Sequence, residues 1–348
     1  MRAVVFSAFK TFPTVEEIEV PEPGAGEVLL KVAGAGACHS DVALFDEFEA
    51  DPNNGLIAPP FVLGHETSGW IERVGPGVRG LEVGAPFLVY GPIGCGHCRS
   101  CSRGEDTYCE RPGDVGYLAT GLGRNGGMAE YMTVPARNLV PLGDADPIAA
   151  APLADAGLTP YHAIKMALPR LAGGGRSALV IGLGGLGLVA VQILTAITGA
   201  KIIATDLKPE AMARARDFGA VTVDGGADQV EQIRALTADR GVDAAFDFVG
   251  ATPTIALAQA TIAKRGAIQI VGIAGGTAQW SFFTTPYEAT ITNSYWGSIA
   301  DLHDVVALYR AGQIAPDIER FTLDTALEAY RRLRDGLLDA RGVVVPHP

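Results

Sequence analysis

The chain has 348 residues, 48% hydrophobic and 19% charged, enough apolar surface to offset the entropy of ordering and to rule out disorder as its main state. Its 27 basic and 39 acidic side chains give a net charge of −12 with no basic block, which argues against a nucleic-acid partner. At about 150 residues per domain the length predicts two domains, and 44 glycines with 22 prolines stay below a low-complexity composition, so the glycines are expected at particular backbone sites.

In chain order, the start Met1-Arg2-Ala3-Val4-Val5-Phe6 carries one basic residue and an apolar run too short for a signal peptide, which predicts a cytoplasmic protein. Residues 1 to about 150 read as β-rich. Strands are expected over 28–32 and 68–74, the latter ending in Gly75-Pro76-Gly77, and frequent Gly and Pro between short strands favours a folded-over barrel or sandwich. The uncharged stretch Ala178 to Ala200 is long enough to span a bilayer. Gly182, Gly184, Gly185 and Gly187 within it disfavour a membrane helix, and a strand (178–181), a glycine turn and a buried helix explain it better. On that helix Leu186, Val189, Ala190, Ile193, Leu194 and Ile197 share one face. Strands at 201–205, 220–223, 243–249 and 267–273 then alternate with helices at 209–218, to about 238, and from Pro253. Such alternation with short loops predicts a doubly wound parallel α/β sheet. Further helices are expected at 301–311 and 324–336. The resulting plan is a β-rich domain over 1–153 and 296–348, with a lobe at 92–112, and an α/β domain over 154–295.

Gly182-Leu183-Gly184-Gly185-Leu186-Gly187 is G-x-G-x-x-G between a predicted strand and a predicted helix, the context of a dinucleotide fingerprint. The first glycine would make the tight turn, the second would let the backbone approach a pyrophosphate, and the third would allow close helix packing. Asp206 ends the next strand, 19 residues after Gly187, where a carboxylate can accept from both adenosine ribose hydroxyls of NAD; the bland alternative is an aspartate that only caps a helix. Cys95, Cys98, Cys101 and Cys109 crowd one loop and suit a closed structural zinc site; an iron–sulfur cluster or free redox thiols are the alternatives. His97 within the loop is expected to be exposed. Cys38-His39-Ser40-Asp41 and Gly64-His65-Glu66 each follow a predicted strand and hold donors for a second site.

Gly64-His65-Glu66-x2-Gly69-x5-Gly75-x2-Val78, with the Cys-x-Ser-Asp segment, the four-cysteine lobe and the glycine fingerprint in this order, resembles the zinc-dependent medium-chain alcohol dehydrogenases, in particular broad-range bacterial secondary-alcohol enzymes. The resemblance spans essentially the whole chain and implies a GroES-like catalytic domain joined to a Rossmann domain. It implies two zincs per chain, NAD, and reversible hydride transfer with a mainly secondary alcohol or ketone. It puts the catalytic zinc on Cys38, His65 and a third ligand near Asp155, with Glu66 behind the metal and Asp41 orienting His65. Ser40 would bond the substrate oxygen and start a proton relay, Thr159 would face the nicotinamide, Arg341 would reach the pyrophosphate, and Tyr295 and Trp296 would line the substrate pocket with Phe45 and Leu118. This chain departs from the family twice. Where many members carry a relay histidine it has Ala43, which leaves His39 to end the relay. Where many have a cysteine as third ligand it has Asp155; with all five cysteines placed, that ligand must be oxygen or nitrogen, from Asp155 or His162. A polyol, threonine or glutathione-adduct dehydrogenase would have the same chemistry with other pocket walls, and a zinc-lobed binding protein is the non-enzymatic alternative. The family also implies a homodimer or homotetramer, with neither nucleic acid nor membrane as partner.

Overall fold

The structure, a computed structural model, describes residues 1–348. The chain divides into two compact units, Met1–Ala156 with Gly297–Arg310 and Pro316–Pro348, and Gly157–Trp296 with Ala311–Ala315.

In the first unit, seven strands form one sheet around the ten-residue strand Glu27–Gly36. One side of this strand pairs with Glu66–Val74 from Val28 through Gly36. Its other side is shared: Tyr131–Pro135 pairs with residues 27–31, and Arg341–Val344 takes over at Ala35 and Gly36. Three strands on one ribbon curl the sheet around Val28, Leu30, Val32, Ile71, Phe87, Val89, Met132 and Val134, the half-closed barrel expected of a GroES-like domain. A three-stranded sheet of Thr14–Glu17, Arg2–Phe6 and Phe61–Val62 lies on the same unit.

The second unit holds a six-stranded parallel sheet. Numbered along this unit, Ser177–Ile181, Lys201–Thr205, Val221–Thr222, Val242–Asp247, Ile262–Ile270 and Thr290–Asn293 stand in the order 3-2-1-4-5-6, a doubly wound dinucleotide fold. Leu179, Ile203, Ala245 and Ile268 meet in its core. The uncharged stretch from Ala178 resolves into the first strand and the helix Gly185–Ile197, and no helix in the chain is long and apolar enough to cross a membrane.

Three features depart from the expected plan. The helix His39–Asp46 was not expected; it opens where Asp41, at the third helical position, reaches back to accept from the Cys38 N–H at 3.2 Å, half of a capping box. The helix Leu158–Leu171 was also not expected, because Pro160 and Pro169 punctuate its sequence; Pro160 falls in the first turn, where no N–H is needed. Residues 311–315 belong with the α/β unit, because Gln192 of the helix Gly185–Ile197 both donates to the Ala315 carbonyl (3.2 Å) and accepts from its N–H (2.8 Å).

Candidate functional site

Sheet register builds the first cluster. Gly36 pairs with Glu66 on one side and Val343 on the other, so Cys38, two residues beyond, emerges beside the His65–Glu66 pair and beside Arg341. Asp155 arrives from the turn that follows the short 3-10 segment Ala151–Ala154. Donor atoms of Cys38, His65, Glu66 and Asp155 all lie within 4.8 Å of one another. Cys38 Sγ is 3.6 Å and His65 Nε2 3.9 Å from Asp155 Oδ2. Zinc bonds of about 2.0–2.3 Å at tetrahedral angles set donors about 3.3–3.8 Å apart; the sulfur–oxygen separation falls within that range and the nitrogen–oxygen one just outside it.

The remaining groups are arranged around these donors. Asp41 Oδ1 faces His65 Nδ1 at 3.1 Å, which leaves Nε2 turned toward Cys38 and Asp155. Ser40 Oγ is 3.2 Å from His65 Nε2. Burial opposes charge on His65, but Asp41 and Cys38 outweigh it and raise its proton affinity well above that of an ordinary histidine; the same anionic surroundings favour a bound cation. Burial pushes Glu66 up to about 7, against the opposing pull of Arg341.

Arg341 has a partner the sequence did not mark. Its guanidinium is 6% exposed and forms a two-pronged pair with Glu66, Nε to Oε2 at 2.9 Å and Nη2 to Oε1, with Asp155 Oδ2 3.9 Å away. It answers a buried carboxylate that would be costly to leave unpaired in this pocket. Phe45, expected on the substrate wall, is core: its ring stacks edge-on between Phe12 and Tyr330. The N-cap of the following helix is Gly157, with no side-chain cap of its own. His162, the other candidate third ligand, sits half-buried in the helix Leu158–Leu171 of the α/β unit. His39 is exposed at the start of its helix, Thr159 is buried, Tyr295 is 43% exposed, and Trp296 is buried with φ +49°.

The second cluster is Cys95, Cys98, Cys101 and Cys109, all free and again within 4.8 Å. Backbone N–H groups of Cys101 and Cys98 point at the sulfurs of Cys98 and Cys95 at 3.5 and 3.4 Å, and such donation brings the Cys98 thiol down to about 6, while burial pushes the Cys101 and Cys109 thiols up. The Cys95 and Cys101 sulfurs are 4.0 Å apart, too far for a disulfide and suited to a shared ion. His97 is exposed, as expected. Two supports went unread in the sequence. Asp106 accepts from the Gly94 N–H at 3.0 Å and pairs with both ends of Arg137, which also donates to the Gly94 carbonyl. Asp106 lies inside the cysteine run and could have been suspected; nothing marks Arg137.

In the α/β unit the fingerprint glycines separate by role. Gly182 has φ +85°, and a Cβ on Gly187 would strike the Gly182 carbonyl oxygen. A Cβ on exposed Gly184 would meet no protein atom within 4 Å, so the space beside it, just before the helix that begins at Gly185, is open to an anionic ligand. Asp206 accepts from the Leu183 N–H and from the Lys208 N–H (2.8 Å), which anchors its carboxylate beside the turn.

The chain matches the family described as alcohol dehydrogenase GroES-like domain over residues 24–144 and the family described as zinc-binding dehydrogenase over 185–311. It is 33% identical to an NAD-dependent alcohol dehydrogenase of Sulfolobus acidocaldarius, covering 99% of each chain. It is also 33% identical to a D-arabinose 1-dehydrogenase (NADP(+)) of Saccharolobus solfataricus, covering 99% of this chain and 97% of that one. The alcohol dehydrogenase of Aeropyrum pernix superposes with a TM-score of 0.90 at 33% identity, covering 99% and 100%. The acetophenone reductase of Geotrichum candidum, solved with NAD, superposes with a TM-score of 0.85 at 31% identity, covering 99% and 97%.

Two outcomes follow from this geometry. Asp155→Ala is expected to lower the zinc count by elemental analysis from two per chain to one, with the fold retained by circular dichroism, while Cys101→Ser loses the other zinc and lowers the melting temperature, because that metal contributes to folding. Gly184→Ala should fold with parental stability and bind NADH at least about tenfold more weakly in a fluorescence titration, whereas Gly187→Ala should lose about 1–3 kcal/mol in denaturant unfolding through overpacking.

Proposed function

Since the chain belongs to the zinc-dependent medium-chain alcohol dehydrogenases, we propose that this NAD-dependent oxidoreductase interconverts a mainly secondary alcohol and its ketone, with Cys38, His65 and Asp155 holding the catalytic zinc. The observation that carries the reading is the convergence of three different donor atoms within 4.8 Å of one another, with a hydroxyl, Ser40 Oγ, beside them. When bound, zinc supplies the Lewis acidity that eases loss of a hydroxyl proton or polarises a carbonyl, and NAD takes or gives the hydride.

The protein's own groups do the positioning and move the proton. Asp41 keeps the His65 ring proton on Nδ1, so that Nε2 presents its lone pair. Ser40 Oγ accepts the substrate's proton in the oxidising direction as its own hydroxyl proton moves on to exposed His39 and from there to water, and the same transfers reverse in the other direction. Arg341 holds Glu66 beside the triad, so that three ligands leave one position for substrate. Thr159 is assigned to the nicotinamide, and Tyr295 and Trp296 to the substrate wall, on the family resemblance alone.

Similarity to an acetophenone reductase supports ketones as substrates; similarity to a D-arabinose dehydrogenase favours a sugar hydroxyl as the second reading. An initial-rate screen of secondary alcohols, aryl ketones, polyols, threonine, formaldehyde–glutathione and D-arabinose distinguishes them. Secondary alcohols are expected to have the highest kcat/KM, and a polyol or sugar that outpaces them overturns the substrate assignment. Asp206 would accept from ribose hydroxyls and repel a 2′-phosphate, so kcat/KM with NAD should exceed that with NADP by about tenfold or more, a factor needing only ~1.4 kcal/mol. Asp206→Ser should narrow the gap, and equal values for both cofactors in the parent would remove Asp206 from that role.

We place the enzyme in the cytoplasm, where thiol ligands stay reduced, and assemble it as a homodimer or homotetramer. Phe282 and Phe283, 72% and 92% exposed on the α/β unit, support self-association. Light scattering should give a mass at least twice that of the chain, and Phe283→Asp should lower it.

A further inference from the structure

Asp41 is fully buried and has three donors around it. Oδ1 faces His65 Nδ1 at 3.1 Å; Oδ2 accepts from the Cys38 N–H at 3.2 Å and from the Tyr330 hydroxyl at 3.0 Å. Two of these donors lie near Asp41 in the barrel's own early segments. The third comes from the helix Ala326–Arg334, 289 positions along the chain.

Tyr330 is itself fully buried, its ring edge-on to Phe45 with centroids 5.8 Å apart, and Phe45 packs in turn on Phe12. The ring is thereby fixed and its hydroxyl aimed. A hydroxyl buried this deeply is costly unless bonded, and phenylalanine would fill the same space, so packing alone does not account for the oxygen. Burial and the neighbouring Asp41 raise the phenol's proton affinity well above the ordinary, which keeps it the donor.

Resting on the triad of Cys38, His65 and Asp155, we infer that Tyr330 is a positioning residue for the catalytic zinc, which it reaches through Asp41 and the His65 ring. The torsion that turns an aspartate's carboxylate is broad and nearly two-fold. With Oδ2 tied to the Cys38 amide and the Tyr330 hydroxyl, the carboxylate cannot turn, and Oδ1 stays on His65 Nδ1. Without the phenol the carboxylate is held on that side by one amide, and the ring it orients is freer to leave the geometry the metal needs.

The test measures the metal and not turnover. In Tyr330→Phe, zinc affinity of the triad site, followed by competition with a coloured chelator on the full-length protein, is expected to fall about 10–100-fold, the usual cost of losing a group that orients a ligand, while the four-cysteine zinc is retained. Affinity within twofold of the parent overturns the inference. Phe45→Leu removes the ring's packing partner and leaves the hydroxyl; it should lower the melting temperature and not the zinc affinity, and a loss equal to that of Tyr330→Phe would make the effect one of packing. In an Asp41→Asn background Tyr330→Phe should add less than twofold, because its route is already cut; a full further loss there contradicts the route. Cys38→Ser separates the two readings. If it keeps two zincs, the triad and this inference fall together; if it loses one and Tyr330→Phe changes nothing, this inference falls alone.

Discussion

The pairing of Gly36 is the constraint on which the metal-binding pocket depends. One residue at the end of the strand Glu27–Gly36 has Glu66 across one ladder and Val343 across the other. That register alone brings Cys38, His65, Glu66 and Arg341, drawn from three separated segments, to one end of the barrel. A slip by one residue would turn each of these side chains to the opposite face of the sheet. Gly36 also has to lack a side chain, because a Cβ there would overlap the Glu66 carboxylate. The glycine therefore sets both the ladder and the space into which the buried acid folds.

Burying so many acidic and thiol groups together has a second consequence. Asp41, Glu66 and the donor atoms of Cys38 and Asp155 crowd a region with one guanidinium, that of Arg341. Buried carboxylates need partners. Arg341 serves Glu66, the Cys38 amide and Tyr330 serve Asp41, and the donor atoms of Cys38, His65 and Asp155 face one another. A divalent cation would suit a donor set of this charge and composition, which is why the pocket reads as a candidate metal site from its own chemistry.

Much of this was legible in the sequence, for a physical reason. The α/β unit is written in local patterns: strand and helix periods, a proline at a first turn, a glycine past a helix end, and a fingerprint whose three glycines do three separate steric tasks. The four cysteines of the lobe were legible because they crowd one short loop, whereas Cys38, His65 and Asp155, far apart along the chain, were named as one set only through the family resemblance. What stayed hidden acts through the sheet ladder or across the length of the chain. Arg341 is singled out by the resemblance, but nothing in the sequence marks it as the partner of Glu66 until the ladder brings the two together. Tyr330 belongs to an expected helix with nothing in its neighbours to mark it. Gln192, inside a helix of apolar residues, gives no hint that it holds Ala315. Helix His39–Asp46 was missed because its start depends on Asp41, a residue already claimed for chemistry.

The two metal sites of the chain also divide by donor hardness. The lobe offers four sulfurs from one loop, held by Asp106 and Arg137, and soft donors of this kind bind zinc tightly enough to contribute to folding. The pocket offers one sulfur, one imidazole and, in place of the second thiolate common in the family, the oxygen of Asp155. That exchange keeps the formal charge and hardens the donor set. It also adds a second carboxylate oxygen, which a thiolate lacks, in the region where Arg341 approaches. A metal in the lobe would thus be part of the fold, whereas one in the pocket would depend on orientation: a ring faced at Nδ1 by Asp41, a carboxylate held by two donors, and an arginine that keeps the neighbouring acid occupied. Chemistry at an open coordination position favours the second kind of site, because its ligands are fixed by surrounding groups and not by saturation of the metal.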